Sequence, residues 1–253
     1  YFLRRLAAVV PLVLLVSLIC FALMQVTPGG PSSVLSDNPL TAPSDAAQIR
    51  NNFGFDQPVL VQYALWLKRV VVHGDFGRSH VTGEPVLDMI RERLPATLEL
   101  MGAAFLLAFL FGISGGIMAA LKRYTRFDSA VMLLTLVGIS IPVFWLGLMS
   151  MMAFSVKWRL FPSTGMFSLG MPFSVADHLR HLLMPALVLS LLFIASWSRY
   201  MRASLSDVLA MNYVNVARAK GVSGTRVVFR HAVRNAAIPV LTVIALNLPA
   251  LFT

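Results

Sequence analysis

Five apolar runs without a charged residue constrain this chain more than any other feature of its sequence. The hydrocarbon core of a bilayer is about 30 Å thick, and a helix that rises about 1.5 Å per residue crosses it in about 20 residues. Lipid offers no hydrogen-bond partner to a free backbone group, so segments that cross must be helical. Pro142 predicts a kink within the third run. The sequence therefore predicts an all-α polytopic membrane protein with spans at about 6–27, 100–121, 129–156, 182–198 and 236–253.

The composition agrees with a membrane protein and excludes an ordinary soluble enzyme. Of the 253 residues, 57% are hydrophobic and only 13% are charged, and the mean hydropathy is +0.75. A soluble domain carries about 25% charged residues. The single cysteine, Cys20, lies in the first apolar run, so the sequence offers neither a disulfide framework nor a cysteine metal site. We interpret that first run as a retained anchor, because it is longer than the apolar region of a signal peptide.

The distribution of charge predicts the topology. With the N-terminus inside, the cytoplasmic segments (1–5, 122–128 and 199–235) carry twelve basic and two acidic residues. The external segments (28–99 and 157–181) carry nine of each. Cytoplasmic loops of membrane proteins are enriched in Lys and Arg. The net charge of +10 therefore indicates a cytoplasmic N-terminus and not a nucleic-acid partner.

Apolar periodicity predicts a helix over 59–72 within the external segment 28–99. One face of that helix carries Val59, Leu60, Tyr63, Trp66, Leu67 and Val70. Such a helix either packs on the surface of the membrane domain or caps it and contacts an external partner.

The cytoplasmic segment 199–235 predicts two short helices joined at a glycine. The first runs over 213–220 and ends at Gly221, where a C-capping glycine is expected. The second begins at Ser223, whose hydroxyl can cap free N–H groups. Arg226, Arg230 and Arg234 recur every four residues on one helical face, which favours an acidic protein surface or lipid phosphates opposite. A helix–glycine–helix elbow outside the membrane is typical of a docking device.

The elbow resembles the cytoplasmic EAA loop of ABC importer permeases of the oligopeptide, dipeptide and nickel type. The matching residues are Tyr213-Val214-x-x-Ala217-Arg218-Ala219-Lys220-Gly221 and Arg230-His231-Ala232-x-Arg234-Asn235-Ala236-x-x-Pro239. The external segment is similar to the B-type subunit of that family at Phe53-Gly54-Phe55-Asp56-x-Pro58, Gly74-Asp75-Phe76-Gly77-x-Ser79 and Arg93-Leu94-Pro95-x-Thr97-Leu98. The chain departs from the family pattern at Asn212 and Asn215, where acidic residues are common. It also holds five of the six spans of the type I permease fold.

The resemblance implies a transmembrane subunit that forms half of a translocation pathway and couples to separate ATPases. No Gly-x-x-x-x-Gly-Lys-[Ser/Thr] loop occurs, so ATP and Mg would be bound by two partner ATP-binding subunits, and this chain would have no catalytic residue, cofactor or metal of its own. A homologous second permease subunit and an extracytoplasmic substrate-binding protein would complete the importer in the bacterial inner membrane. The ATPase-coupling residues implied by the resemblance are Tyr213, Ala217, Ala219, Lys220, Gly221, Val222, Ser223, Arg226, Arg230 and His231.

Two other classes of function compete with the importer. A stand-alone secondary carrier or channel, and an intramembrane enzyme, both usually require ionisable groups within the spans, and the five runs contain none. His178 and His181 could be metal ligands, although histidines at a membrane interface are common. Within the importer family the substrate stays open between peptides and nickel or another small solute, and the sequence identifies no substrate-binding residue.

Overall fold

The computed structural model describes residues 2–26, 57–79, 82–168 and 170–252. Its described part is helical apart from loops and one isolated bridge between Arg78 and Pro85, so the all-α prediction is confirmed. We number the helices α1 (Phe2–Val26), α2 (Val59–Lys68), α3 (Val86–Leu121), α4 (Arg126–Ser140), α5 (Val143–Lys157), α6 (Val175–Leu209), α7 (Asn212–Ala219) and α8 (Gly224–Phe252).

Four of these helices are long and apolar enough to cross a membrane, and α4 with α5 makes a fifth candidate if the pair counts as one span. Each contains one of the predicted apolar runs. Both α3 and α6 extend well beyond their runs, because their charged and polar ends continue the same helix. Residues 27–56, which include the family-like motif Phe53–Asp56, and Thr253 lie outside the described residues.

The third predicted span is broken at Pro142, not merely kinked. The helices α4 and α5 meet there at 98°. Ile141 adopts an extended conformation (φ −89°, ψ 124°), as expected for a residue that precedes proline. A new helix then begins with a hydrogen bond from Leu146 N to Pro142 O of 3.0 Å. The proline thus ends one helix and starts another, which produces a sharper turn than the predicted kink.

The chain divides into two compact units, Tyr1–Arg93 and Leu94–Thr253, and α3 begins in the first and continues in the second. The predicted single permease domain over 1–253 therefore stays a prediction. In the first unit α2 contacts α1 through the rings of Phe21, Tyr63 and Trp66. The helix predicted over 59–72 is present as α2 and a following π turn, Arg69–His73.

In the second unit α6 packs closely on α3 at two glycines. A Cβ added to Gly116 would lie 2.6 Å from Ser198 O and 2.7 Å from Met201 Cβ, and one added to Gly112 would lie 3.2 Å from Ile194 Cα. Absence of a side chain at both positions lets the two helix backbones approach each other. These glycines therefore fix where α6 crosses α3.

Candidate functional site

The elbow, which we define as residues 212–231, turns at Gly221. Its first helix, α7, ends with hydrogen bonds from Gly221 N to Arg218 O (2.9 Å) and from Val222 N to Ala217 O (3.2 Å). This pair of bonds is the Schellman arrangement, which needs a left-handed residue at the turn. Gly221 supplies it, with φ +79° and no atom within 4 Å of a Cβ built there. The C-capping role predicted for Gly221 is confirmed, and its constraint is conformational because the space beside it is open.

The inner face of the elbow is buried against the membrane helices. Val214 and Val227 are fully buried, and they share one hydrophobic cluster with Met201, Leu205 and Val208 of α6. Ala217 and Val222 pack against the rim of that cluster. The elbow is therefore joined to α6 by close apolar packing.

The outer face of the elbow is exposed and basic. It carries Arg218, Lys220, Arg226 and Arg230, and residues 212–231 contain no acidic residue. None of these four cations forms an ion pair within the described part of the chain. Of the ten coupling residues implied by the resemblance, Ala217, Val222 and His231 are half-buried, and the exposed ones are Tyr213, Ala219, Lys220, Gly221, Ser223, Arg226 and Arg230.

The start of α8 differs in two details from the sequence-based expectation. Ser223 occupies the N-cap position, as expected, but its side chain makes no capping hydrogen bond. The helix then adopts a π turn over Val227–Ala232, which interrupts the four-residue recurrence predicted for Arg226, Arg230 and Arg234. All three arginines are nevertheless exposed.

The sequence reasoning missed an apolar component of the outer face. Val216 and Phe229 are 51% and 58% exposed, although both are large apolar residues. Tyr213, also exposed, accepts a hydrogen bond from Asn235 Nδ2 at 2.8 Å, which ties α7 to α8. Exposed aromatic residues and arginines are enriched in protein–protein interfaces, so this composition is compatible with a docking surface. Their β-branched and aromatic character was visible in the sequence, but their exposure required the helix positions.

A buried ion pair lies near the same end of α6 and was also missed. Asp128, in the first turn of α4, is 3% exposed and accepts two hydrogen bonds from Arg202 of α6, one of them from Nη2 at 2.6 Å. Tyr124 N donates a third bond to its Oδ2 at 3.0 Å. A carboxylate so enclosed is stable in the interior only because its partners satisfy it. The pair holds the beginning of α4 against α6.

The N-terminal end of α6 borders a cavity with a volume of about 550 Å³. It lies between α5, the connection 162–165 and α6, with Phe144, Leu148 and Val188 among its apolar lining. A smaller cavity of about 140 Å³ shares Gly165, His181 and Pro185 with it. Largely apolar cavities with a few polar groups at one end are typical ligand pockets.

The two histidines considered as metal ligands are engaged with other groups at this cavity. His178 Nε2 pairs with the Glu99 carboxylate, and its Nδ1 lies 2.8 Å from Met166 O. His181 Nδ1 lies 2.9 Å from Asp177 O. Asp177 in turn accepts bonds from Ser168 N and Oγ. His178 and Asp177 thus join the start of α6 to the connection that precedes it, whereas the His181 bond lies within α6.

Spanning helices joined to a basic, partly apolar elbow define a class of protein: a multi-pass membrane protein with an exposed basic segment outside its spans. A protein-family model described as "Binding-protein-dependent transport system inner membrane component" matches residues 112–253. The corresponding N-terminal model matches residues 1–101. The chain belongs to this family of transport components, and the resemblance found in its sequence is confirmed.

Individual relatives agree with the family. The chain is 37% identical over 251 residues to the oligopeptide transport system permease protein AppB of Bacillus subtilis, covering 99% of this chain and 79% of that protein. It is 38% identical over 266 residues to the di/tripeptide transport system permease protein DppB of Pseudomonas aeruginosa, covering 98% and 79%. A putative peptide transport system permease protein of Brucella abortus is 39% identical over 243 residues, covering 95% and 76%.

The family resolves the competing classes of function. A membrane component of a binding-protein-dependent system is one subunit of a larger importer, so a stand-alone carrier or channel and an intramembrane enzyme are no longer favoured. The family is one of transport components and not of ATPases.

Proposed function

We propose that this chain forms half of the translocation pathway of an ATP-driven peptide importer and receives the work of ATP hydrolysis through the elbow. Support for a peptide substrate comes from the names of its relatives, which transport oligopeptides or di- and tripeptides. One observation carries the coupling role. The elbow has an exposed basic outer face and an inner face whose Val214 and Val227 are fully buried in one cluster with α6.

The two faces suit a coupling device. An acidic groove on a partner ATPase subunit would attract the four cations of the outer face and accommodate Val216 and Phe229. When two such subunits close on ATP, they would displace the elbow. Because Val214 and Val227 are locked into the cluster with α6, the elbow moves with that helix as one body. ATP binding at a distance thereby changes the arrangement of the spans.

The remaining components follow from the same proposal. ATP and Mg bind to two partner ATP-binding subunits, and this chain supplies no cofactor site. A homologous second permease completes the pathway, and an extracytoplasmic substrate-binding protein delivers peptides to it. We place the complex in the bacterial inner membrane with the N-terminus of this chain in the cytoplasm, where its twelve cytoplasmic basic residues satisfy the positive-inside preference.

The test compares Gly221→Asp with Gly170→Asp in the assembled importer. Both glycines have a positive φ (+79° and +78°) and open space beside them, so the two variants carry the same backbone strain. Only Gly221 lies in the elbow. We expect Gly221→Asp to reduce co-purification of the ATPase subunits, or the ratio of peptide imported to ATP hydrolysed, at least tenfold. Gly170→Asp should change both less than twofold.

A charge reversal supplies the second comparison. Lys220→Glu in the elbow should weaken ATPase binding several-fold, whereas Lys157→Glu, an exposed lysine at the far end of α5, should not. Normal coupling in Gly221→Asp and Lys220→Glu would show that the elbow is not the contact with the ATPase subunits.

The substrate is tested by uptake of labelled di- and tripeptides into membrane vesicles of controlled orientation. Import of nickel with no import of peptide would overturn the peptide assignment.

A further inference from the structure

The helix α2 is apolar nearly all round, which is unexpected for a helix in an aqueous loop. Its sequence is VLVQYALWLK, and its polar residues apart from Tyr63 are Gln62 and Lys68. Gln62 is buried, whereas Leu60 is 69% exposed, and in the following π turn Val71 is 74% exposed. A helix without a polar face is stable when protein or lipid surrounds it. The predicted face is therefore only half correct, because Tyr63 and Trp66 contact α1 but Leu60 points away from the protein.

The contacts of Tyr63 place α2 beside the middle of α1. Its hydroxyl donates to Leu14 O (3.1 Å) and lies 2.8 Å from Ser17 Oγ. The apolar span of α1 is Ala7–Val26, so Ser17 lies nine residues, or roughly 13 Å, inside its C-terminal end. One tyrosine side chain is much shorter than that distance. The backbone of α2 at Tyr63 must therefore lie inside the apolar band.

The ring contacts give the same depth independently. The Phe21 ring centroid is 5.7 Å from that of Tyr63 and 6.1 Å from that of Trp66. Phe21 lies five residues before Val26, or roughly 7 Å inside the apolar band. Two successive turns of α2 thus lie at a depth where an unperturbed bilayer contains hydrocarbon.

The polar groups between the two helices are paired as an apolar medium requires. Gln25 Nε2 donates to Gln62 Oε1 at 2.8 Å, and Gln62 Nε2 donates to Gln57 O at 2.8 Å. Paired amides and hydroxyls between helices are common in membrane-embedded contacts, because an unpaired one is costly in lipid.

From this depth, apolar surface and pairing we propose that α2 and the turn Arg69–His73 lie within the bilayer. They occupy the half that the C-terminal end of α1 reaches, with their exposed face against lipid acyl chains. Lipid is the occupant because α1, beside which α2 lies at this depth, also exposes large apolar residues such as Leu12 and Val13. Lys68 and His73 are exposed at the end of the segment, where long side chains can reach headgroup phosphates. This segment was expected in an external loop, and its burial in lipid is independent of what the importer carries.

The test measures the environment of nitroxide labels on the full-length chain in its complex, in phosphatidylethanolamine and phosphatidylglycerol nanodiscs. Cys20→Ser removes the native thiol, and single labels are placed at Leu60→Cys and Val71→Cys. Val13→Cys, exposed on α1, provides the lipid reference, and Glu84→Cys, exposed in a polar loop, provides the water reference. Collisions with oxygen report lipid, and collisions with a water-soluble nickel chelate report water.

We expect both α2 labels to resemble Val13→Cys. Their ratio of oxygen collisions to nickel-chelate collisions should be at least fivefold higher than the ratio at Glu84→Cys. Rates like those at Glu84→Cys would place α2 in water and overturn the proposal. Low collision rates with both reagents would mean that another protein covers α2, which would also overturn it. Tyr63→Phe checks the depth separately, because loss of its bonds to Leu14 and Ser17 should move the Val71→Cys label measurably toward the water reference.

Discussion

The two ends of α6 differ in how they are filled. The elbow end, from Ile194 to Leu209, buries Trp197, Met201 and Leu205 in clusters with residues of α3, the elbow and α8. The cavity end, from Val175 to Leu189, borders the cavity of about 550 Å³. One helix thus joins a close-packed region to a hollow one.

This difference in packing predicts that the elbow end transmits a displacement, whereas the cavity end can change shape. Close-packed interiors have few voids and transmit displacement, because side chains that interdigitate cannot move independently. A hollow region lined by Phe144, Leu148 and Val188 can change shape with little loss of contact. Equivalent changes at the two ends should therefore have unequal costs. Three paired substitutions compare the two ends and a fourth compares two sites within the elbow end, from the largest expected effect to the smallest.

Loss of an acidic partner should be most costly at the elbow end. Asp128→Ala leaves Arg202 partly buried without its carboxylate, and we expect a loss of about 3 kcal/mol in the free energy of unfolding. Glu99→Ala removes the partner of His178 at the cavity end. Because Glu99 is 38% exposed, that loss should stay below about 1 kcal/mol. Detergent-unfolding titration of the two variants measures the difference, and equal losses would contradict the comparison.

Truncation of a methionine should show the same asymmetry. Met201 is 1% exposed within the cluster of the elbow end, so Met201→Ala should cost about 2–3 kcal/mol. Met184 lines the cavity and is only half-buried. Met184→Ala merely enlarges a space that already exists, and its cost should be under about 1 kcal/mol. Thermal unfolding followed by tryptophan fluorescence distinguishes the two, and a Met184→Ala loss as large as that of Met201→Ala would show that the cavity end is also rigid.

Addition of a methyl group to a glycine should lower the free energy of unfolding at the elbow end only. Gly116→Ala places a Cβ 2.6 Å from Ser198 O, a backbone atom, and overpacking of this kind costs about 1–3 kcal/mol. Gly147→Ala, on the cavity, would bring its Cβ no closer than 3.9 Å to Val188 Cγ1. It should be neutral or stabilise α5 by up to about 1 kcal/mol through helix propensity. The same titration applies, and a tolerated Gly116→Ala would place the helix crossing elsewhere.

The smallest expected effect concerns two serines of the elbow end. Ser204 Oγ donates to Ala236 O at 2.9 Å, so Ser204→Ala should cost about 1 kcal/mol. Ser206 Oγ is buried and finds no partner among the described residues. Ser206→Ala should therefore be neutral or gain up to about 1 kcal/mol, because an unpaired hydroxyl is removed. A clear loss in Ser206→Ala would reveal a polar partner for that hydroxyl.

The sequence was sufficient for features whose cause is local. The apolar runs predicted the spanning helices, and the turn at Gly221 followed from one residue type at the end of a helix. The position of Ser223 was also correct, but its missing capping bond was not, because a side-chain rotamer depends on surroundings that the local sequence does not describe.

Features that depend on distant residues could not be predicted in the same way. Asp128 and Arg202 are 74 positions apart, and nothing local to either indicates the other. The cavity forms among three separate segments, and the 98° bend depends on how far a break at proline opens, which neighbouring helices decide. The coupling role of the elbow residues stays a prediction, since their exposure is compatible with docking but does not identify the partner.

The glycine crossing makes α6 an unequal lever. Its close contact with Gly116 of α3 is at Ser198, about 11 residues or roughly 16 Å from Leu209, where α6 ends before the elbow, and about 20 residues or roughly 30 Å from His178. A rigid tilt about that fulcrum moves the cavity end almost twice as far as the elbow, and in the opposite direction. A displacement of about 2 Å at the elbow end of α6 would then become a displacement of nearly 4 Å at the cavity end. Pro185 lies between Ser198 and the cavity end of α6, so the stiffness of the helix at Pro185 determines how much of the larger displacement reaches the cavity.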